Sequence, residues 1–127
     1  MRSLPALLVA LLTFAVAAPA QAKTVTEAAD GKTIHIITGD PLTVRLTECT
    51  TCGYHWAYVT RPSRKVLARA SDKHVSTTPP GSVGGSGKRV IKYYGKAGGK
   101  TTLKLKYLTP SGDVADTFTI VIKVRVP

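Results

Sequence analysis

The chain has 127 residues, with 18 Lys and Arg against seven Asp and Glu, a formal net charge of +11, and only two cysteines. Carboxylates this scarce exclude a paired-carboxylate active site, and no histidine, carboxylate and hydroxyl fall into a hydrolytic pattern, so the chain does not read as an enzyme. Once the N-terminal segment is set aside, the length suffices for one compact domain and no more.

That segment, "MRSLPALLVALLTFAVAAPAQA", places one arginine before an apolar run from Leu4 to Ala18 and ends in Ala20-Gln21-Ala22. The run is short for a bilayer span and an A-x-A cleavage pattern follows it, so residues 1–22 are expected to be a secretory signal peptide. The competing reading is an uncleaved membrane anchor. The mature domain, 23–127, then keeps seventeen Lys and Arg against seven acids, a formal +10. It is expected in the periplasm or outside the cell, without membrane attachment after cleavage.

From Lys32 onward the chain breaks into short runs that mostly alternate apolar with polar residues and are rich in β-branched types. Strands are predicted over Lys32–Thr38, Pro41–Thr47, Tyr54–Thr60, Lys65–Ala70, Lys88–Tyr94, Thr101–Leu108 and Thr117–Val126. Turn chemistry separates them at Gly39-Asp40-Pro41, Arg61-Pro62-Ser63, Pro79-Pro80-Gly81, Gly98-Gly99 and Ser111-Gly112-Asp113. No stretch after residue 22 sustains a helical period, and neither an internal repeat nor a second domain is visible. The expected fold is an all-β, immunoglobulin-like antiparallel β-sandwich of about seven to eight strands.

In such a sandwich alternate connections open at the same end. "ECTTCG" (48–53), "SDKHVSTTPPGSVGGSG" (71–87) and "TPSGDVAD" (109–116) should therefore emerge side by side. The middle one is longer than a turn needs, and its "PPGSVGGSG" suits either close backbone approach to a partner or a flexible tip. The basic residues are spread through almost every strand without a run of five, which reads as solvated outer faces rather than a nucleic-acid surface.

Three of these segments carry a resemblance. "CTTCGYHW" (49–56) is similar to the "NPTTGYxW" signature of chagasin-type inhibitors of papain-like cysteine proteases. "SVGGSG" (82–87) is similar to that family's Gly-rich loop, and "YLTP" (107–110) to its "YxRPW" loop. The resemblance runs from about Lys32 to Val126. It implies a monomeric inhibitor, without metal or cofactor, whose three loops enter the protease cleft as a wedge and are not cut. Thr51 and Gly53 match the signature, whereas Cys49 stands at the asparagine, Thr50 at the proline and Cys52 at the second threonine. Val83, Gly84 and Gly87 fit the V-G-x-x-G pattern of bacterial members, with Gly85 adding freedom. In the third loop Pro110 matches, but Thr109 replaces the arginine and Ser111 the tryptophan. The resemblance thus assigns protease contact to all of these residues, with Thr50 and Thr51 over the protease thiol. Tyr54 and Trp56 also match, and alternation places both on one strand face as core residues, with Trp56 at its centre. A non-inhibitory periplasmic or extracellular binding module on the same scaffold is the alternative that the lost arginine and tryptophan permit.

In an oxidising compartment Cys49 and Cys52 are expected to bond each other and fix the loop tip. A redox-active pair lacks the helix N-terminus that depresses a thiolate pKa. Zinc would need His35, His55 or His74 at spacings that match no familiar site. A mixed disulfide with a protease cysteine competes with a partner only three residues away.

Overall fold

The computed structural model describes residues 21–77 and 86–127. Nearly all of the expected signal peptide lies outside the described residues, as do Val83, Gly84 and Gly85. The described chain forms eight strands: β1 (Lys23–Val25), β2 (Thr33–Ile37), β3 (Pro41–Glu48), β4 (His55–Thr60), β5 (Leu67–Ser76), β6 (Gly87–Gly95), β7 (Gly99–Leu108) and β8 (Val114–Arg125). They build two four-stranded sheets, ordered β1-β3-β6-β5 and β2-β8-β7-β4, packed as an immunoglobulin-like sandwich.

Two pairings are parallel, β1 with β3 and β2 with β8, where an antiparallel sandwich was expected. The cause is the turn at residues 38–40, which carries the chain from one sheet to the other, so that consecutive β2 and β3 never pair. Asp40 holds that turn: its Oδ2 accepts from the Ile37 amide at 3.0 Å.

The alternation read from the sequence fills the space between the sheets. Leu42, Val44 and Leu46 of β3 face Leu103 and Leu105 of β7 and Phe118, Ile120 and Ile122 of β8 across one continuous core. Burial of this kind stabilises by about 1.5–3 kcal/mol per large aliphatic side chain, which is why the period-2 pattern fixes register strongly here.

β5 runs six residues beyond its expected end at Ala70, and β8 starts three residues before its expected start at Thr117. The upper connections therefore shrink to 77–86 and 109–113. The β5–β6 ladder contains a register shift between Arg69 and Ser71, so Ala70 is an extra residue. Before it, Leu67 and Arg69 stand opposite Gly95 and Tyr93; after it, Asp72 and His74 stand opposite Ile91 and Arg89. A bulge of one residue reverses which side chains point inward. Here it turns Asp72 and His74 toward the space between the sheets.

Candidate functional site

The β3–β4 connection is a tight coil. The Cys52 and Tyr54 amides both donate to the Cys49 carbonyl, at 3.2 and 3.0 Å, and the Gly53 amide donates to the Thr50 carbonyl at 3.0 Å. A disulfide joins Cys49 to Cys52 across a Cα separation of 5.2 Å. Both sulfurs are spent in the bridge, so neither is a thiolate ligand in this state. Thr50, Thr51, Cys52 and Gly53 are exposed. Thr51 Oγ1 lies 3.6 Å from Cys49 Sγ, and because a disulfide sulfur carries no proton the hydroxyl is the donor. Gly53 has φ +83°, which L-residues adopt only with strain, and a Cβ there would lie 2.8 Å from Pro110 Cγ.

That contact joins the first loop to the β7–β8 turn. The turn is held internally: the Thr109 amide donates to the Asp113 carbonyl at 2.9 Å, and the Asp113 amide to Thr109 Oγ1 at 3.1 Å. Ser111 Oγ donates to Asp113 Oδ2 at 3.0 Å, so it accepts from Thr109 Oγ1 at 2.9 Å. Pro110 and Ser111 are exposed and Thr109 is half-buried.

Beneath the coil, Tyr107 of β7 acts as a shelf. Its hydroxyl accepts from the Cys49 amide at 2.9 Å. Its ring lies 4.7 Å from that of Trp56 and 5.3 Å from that of Tyr54. Trp56 is 4% exposed, within the core, and its indole N–H donates to the Thr47 carbonyl at 2.9 Å. Tyr54 departs from expectation: it precedes β4 and is half-buried, so it props the loop on Tyr107 instead of filling the core.

A polar network supports the other side of the coil. Glu48 ends β3 in phase with Leu42, Val44 and Leu46 and is only 1% exposed. Its Oε2 accepts from the Trp56 amide at 2.8 Å and from Arg89 Nη1 at 3.3 Å, while its Oε1 accepts from His74 Nδ1 at 2.8 Å. The far nitrogen of that imidazole, Nε2, lies 3.4 Å from Thr50 Oγ1, so His74 links the buried carboxylate to the exposed tip. Arg89 also holds Asp72 in a fork, Nε to Oδ1 and Nη2 to Oδ2, and Tyr58 donates to Asp72 Oδ2 at 2.6 Å. Burial alone would raise the Asp72 carboxyl, but the bonds from Arg89 and Tyr58 outweigh it and hold the group below its ordinary value.

Gly87 opens β6 opposite Glu48 and Ser76, without a positive φ. Glycine is therefore required there for a reason other than left-handed backbone. A Cβ would lie 2.3 Å from His74 Nε2 and 2.7 Å from the Val75 carbonyl oxygen, so the absent side chain is the space that His74 occupies. Glu48, His74, Arg89 and Tyr107 carry the site from below and were not singled out from sequence as supports. Glu48 had a signal, since its place in the alternation is an inward one; His74 had none, because the bulge at Ala70 sets its direction.

The structure thus gathers Cys49–Gly53, Pro110 and the stem of the β5–β6 hairpin at one end of the sandwich. A rigid β-scaffold that presents adjoining loops, the first of them cross-linked, is built for recognition by its loops. The chain belongs to the chagasin family: the model for "Chagasin family peptidase inhibitor I42" matches residues 35–124. The members of that family are inhibitors rather than enzymes. Among solved structures, the cysteine protease inhibitor EhICP2 from Entamoeba histolytica is 26% identical with a TM-score of 0.70, over 82% of this chain and 96% of that one. Amebosin, known from a solution structure, is 28% identical with a TM-score of 0.66, over 83% and 99%. PbICP-C, solved in complex with falcipain-2, shares the fold at 16% identity and a TM-score of 0.53, over 84% and 90%. Comparison with curated protein sequences finds no match.

Proposed function

We propose that the domain is a reversible inhibitor of papain-like cysteine proteases that fills the active-site cleft with three adjacent loops. The observation that carries this reading is the convergence of the motif-bearing segments. Gly53 seats on Pro110, and Thr50 meets His74 beside Gly87, the last residue of the Gly-rich motif. EhICP2, itself described as a cysteine protease inhibitor, matches nearly its whole length to this chain. In this reading Thr50 and Thr51 lie over the protease thiol, with backbone from Cys49 to Gly53 offering hydrogen bonds. The Val83–Gly85 segment and the Thr109–Ser111 turn grip either side. The inhibitor supplies no chemistry; the disulfide and the Glu48–His74 support lower the entropy lost when the loop docks.

Residues 1–22 act as the export signal in the same proposal, and the mature domain works in the periplasm or outside the cell. The Cys49–Cys52 bridge supports this, since such bonds persist in oxidising compartments. Among the described residues no helix is long and apolar enough to cross a membrane.

The test is titration of papain with the purified domain. Activity should fall linearly to an equivalence point at one inhibitor per active enzyme. A flat curve at micromolar inhibitor overturns the proposal in favour of a non-inhibitory binding module.

A further inference from the structure

A pocket of about 310 Å³ opens on the flank of the sandwich between the edge strands β4 and β5. That volume is at the lower end of the range for small-molecule sites, about 300–1,000 Å³. Its lining includes Arg61 and Arg64 of the β4–β5 connection and Lys96 of the β6–β7 connection. Both connections lie at the end of the sandwich opposite Thr50 and Pro110, so the pocket is separate from the loop cluster.

Arg61, Arg64, Arg69 and Lys96 converge on this pocket, and no carboxylate lines it among the described residues. The nearest acid, Asp72, is held behind it in the fork of Arg89 and by the Tyr58 hydroxyl, with Arg69 Nη1 at 3.8 Å. Like charges gathered around a concave surface focus a positive potential there, which an anion would relieve. The floor is apolar and closed: Leu67 is 1% exposed and Tyr93 3%. Tyr58 forms a flat wall, stiffened by the Arg61 guanidinium stacked 4.3 Å from its ring centroid.

One polar atom in this floor has no partner. The Tyr93 hydroxyl is buried and has no partner in hydrogen-bonding geometry; the Tyr58 hydroxyl, its neighbour, gives its own proton to Asp72 Oδ2. Buried hydroxyls are almost always satisfied, and Tyr93 is a lining residue of the cation-ringed pocket, so an acceptor bound there would supply the partner that its hydroxyl lacks. Burial also pushes the Tyr93 phenol far above its ordinary value, so its proton is retained as a donor.

We propose that this pocket binds a small organic anion. A flat apolar body would lie against Tyr58 and Leu67, and a phosphate, sulfate or carboxylate group would be held by Arg64, Arg69, Lys96 and the Tyr93 hydroxyl. The walls are preformed. The Lys96 amide donates to the Val66 carbonyl at 2.8 Å, the Leu67 amide to the Ser63 carbonyl at 2.9 Å, and the Ser63 amide to Thr101 Oγ1 at 2.6 Å. Both edge strands are bulged beside the pocket, β4 at Val59 and β5 at Ala70. Bulges of this kind re-aim side chains, and here they bring Arg61 onto Tyr58 and set Arg69 opposite Tyr93.

The test is a titration of the isotopically labelled protein, followed by amide chemical shifts, with phenyl phosphate, inorganic phosphate and phenol in separate arms. Phenyl phosphate should shift Leu67, Ala68 and Lys96 saturably and bind at least about tenfold tighter than either fragment, because it alone uses both the apolar wall and the cations. Tyr93→Phe removes a hydroxyl that bonds nothing, so the fold should persist while phenyl phosphate binding weakens roughly ten- to hundredfold. Arg64→Ala, at an exposed position, should weaken it with no change in the other spectra. Equal affinity for inorganic phosphate and phenyl phosphate, unchanged binding by Tyr93→Phe, or shifts that never saturate would each overturn the proposal. None of these readouts depends on protease inhibition.

Discussion

At Gly87 the reason for a residue is found across the ladder rather than in its own backbone. The His74 ring fills the space where a side chain would stand, and that ring bonds Glu48 on one side and meets Thr50 on the other. Gly87→Val should therefore act on stability as well as on the loop, costing about 1–3 kcal/mol as overpacked core sites do and displacing His74 from the Glu48 carboxylate. Urea denaturation checks the first effect and inhibition by the folded fraction the second. A variant as stable as the parent would show that His74 does not sit against Gly87. Gly53 differs, since both its φ of +83° and the approach of Pro110 exclude a Cβ. Gly53 was readable from the sequence only as a match to the signature, and the constraint at Gly87 was not readable at all, because it comes from a side chain thirteen residues upstream.

Among the elements, the β3–β4 connection shows how a loop is fixed from several sides. Amides of Cys52, Gly53 and Tyr54 close the coil, Tyr107 holds it from below, and the disulfide ties its ends. A bridge spanning so few residues constrains the unfolded chain by only about 2 kcal/mol in the chain-entropy view. Reduction should leave the sandwich folded, with its far-ultraviolet circular dichroism retained, and weaken inhibition by loosening the tip. Mass spectrometry of the untreated protein should show two hydrogens fewer than the sequence and no alkylatable thiol. Global unfolding on reduction would mean that the bridge supports more than the loop. The strand boundaries illustrate the limit of local pattern: β5 continues through "SDKHVS", where no period-2 apolar signal exists, because its ladder to β6 and the inward turn of Asp72 and His74 stabilise it instead.

The whole molecule carries the consequences of its charge. With so few acids, each buried carboxylate weighs on acid stability. Asp72 titrates below its ordinary 3.8 in the fold, because the bonds and charges of Arg89 and Tyr58 outweigh its desolvation. A lowered folded value gives stability that is complete above 3.8 and lost as pH falls through the folded value. Asp72→Asn should flatten the acid limb of the stability–pH curve below about pH 4 and lower stability at neutral pH; an unchanged limb would place the loss elsewhere. Glu27 adds a contribution of the same sign, since its carboxylate accepts from the Thr47 amide and its pKa is also lowered, although burial opposes the shift.

Period-2 alternation and turn residues were enough to place seven strands, the shared end of three connections and most of the inward faces, because burial of apolar side chains is a local pattern with a strong energetic cost for error. The motif in residues 49–56 likewise stood in the sequence, since it is a run of consecutive residues. Only the tertiary structure decided the parallel pairing of β1 with β3 and of β2 with β8, which depends on which sheet a three-residue turn enters. The two bulges, the Glu48–His74–Arg89–Asp72 network and the cation-lined pocket with its orphaned Tyr93 were decided there as well. Each arises where side chains distant in the chain meet across the sheets, and a single extra residue in an edge strand is enough to reverse what they meet.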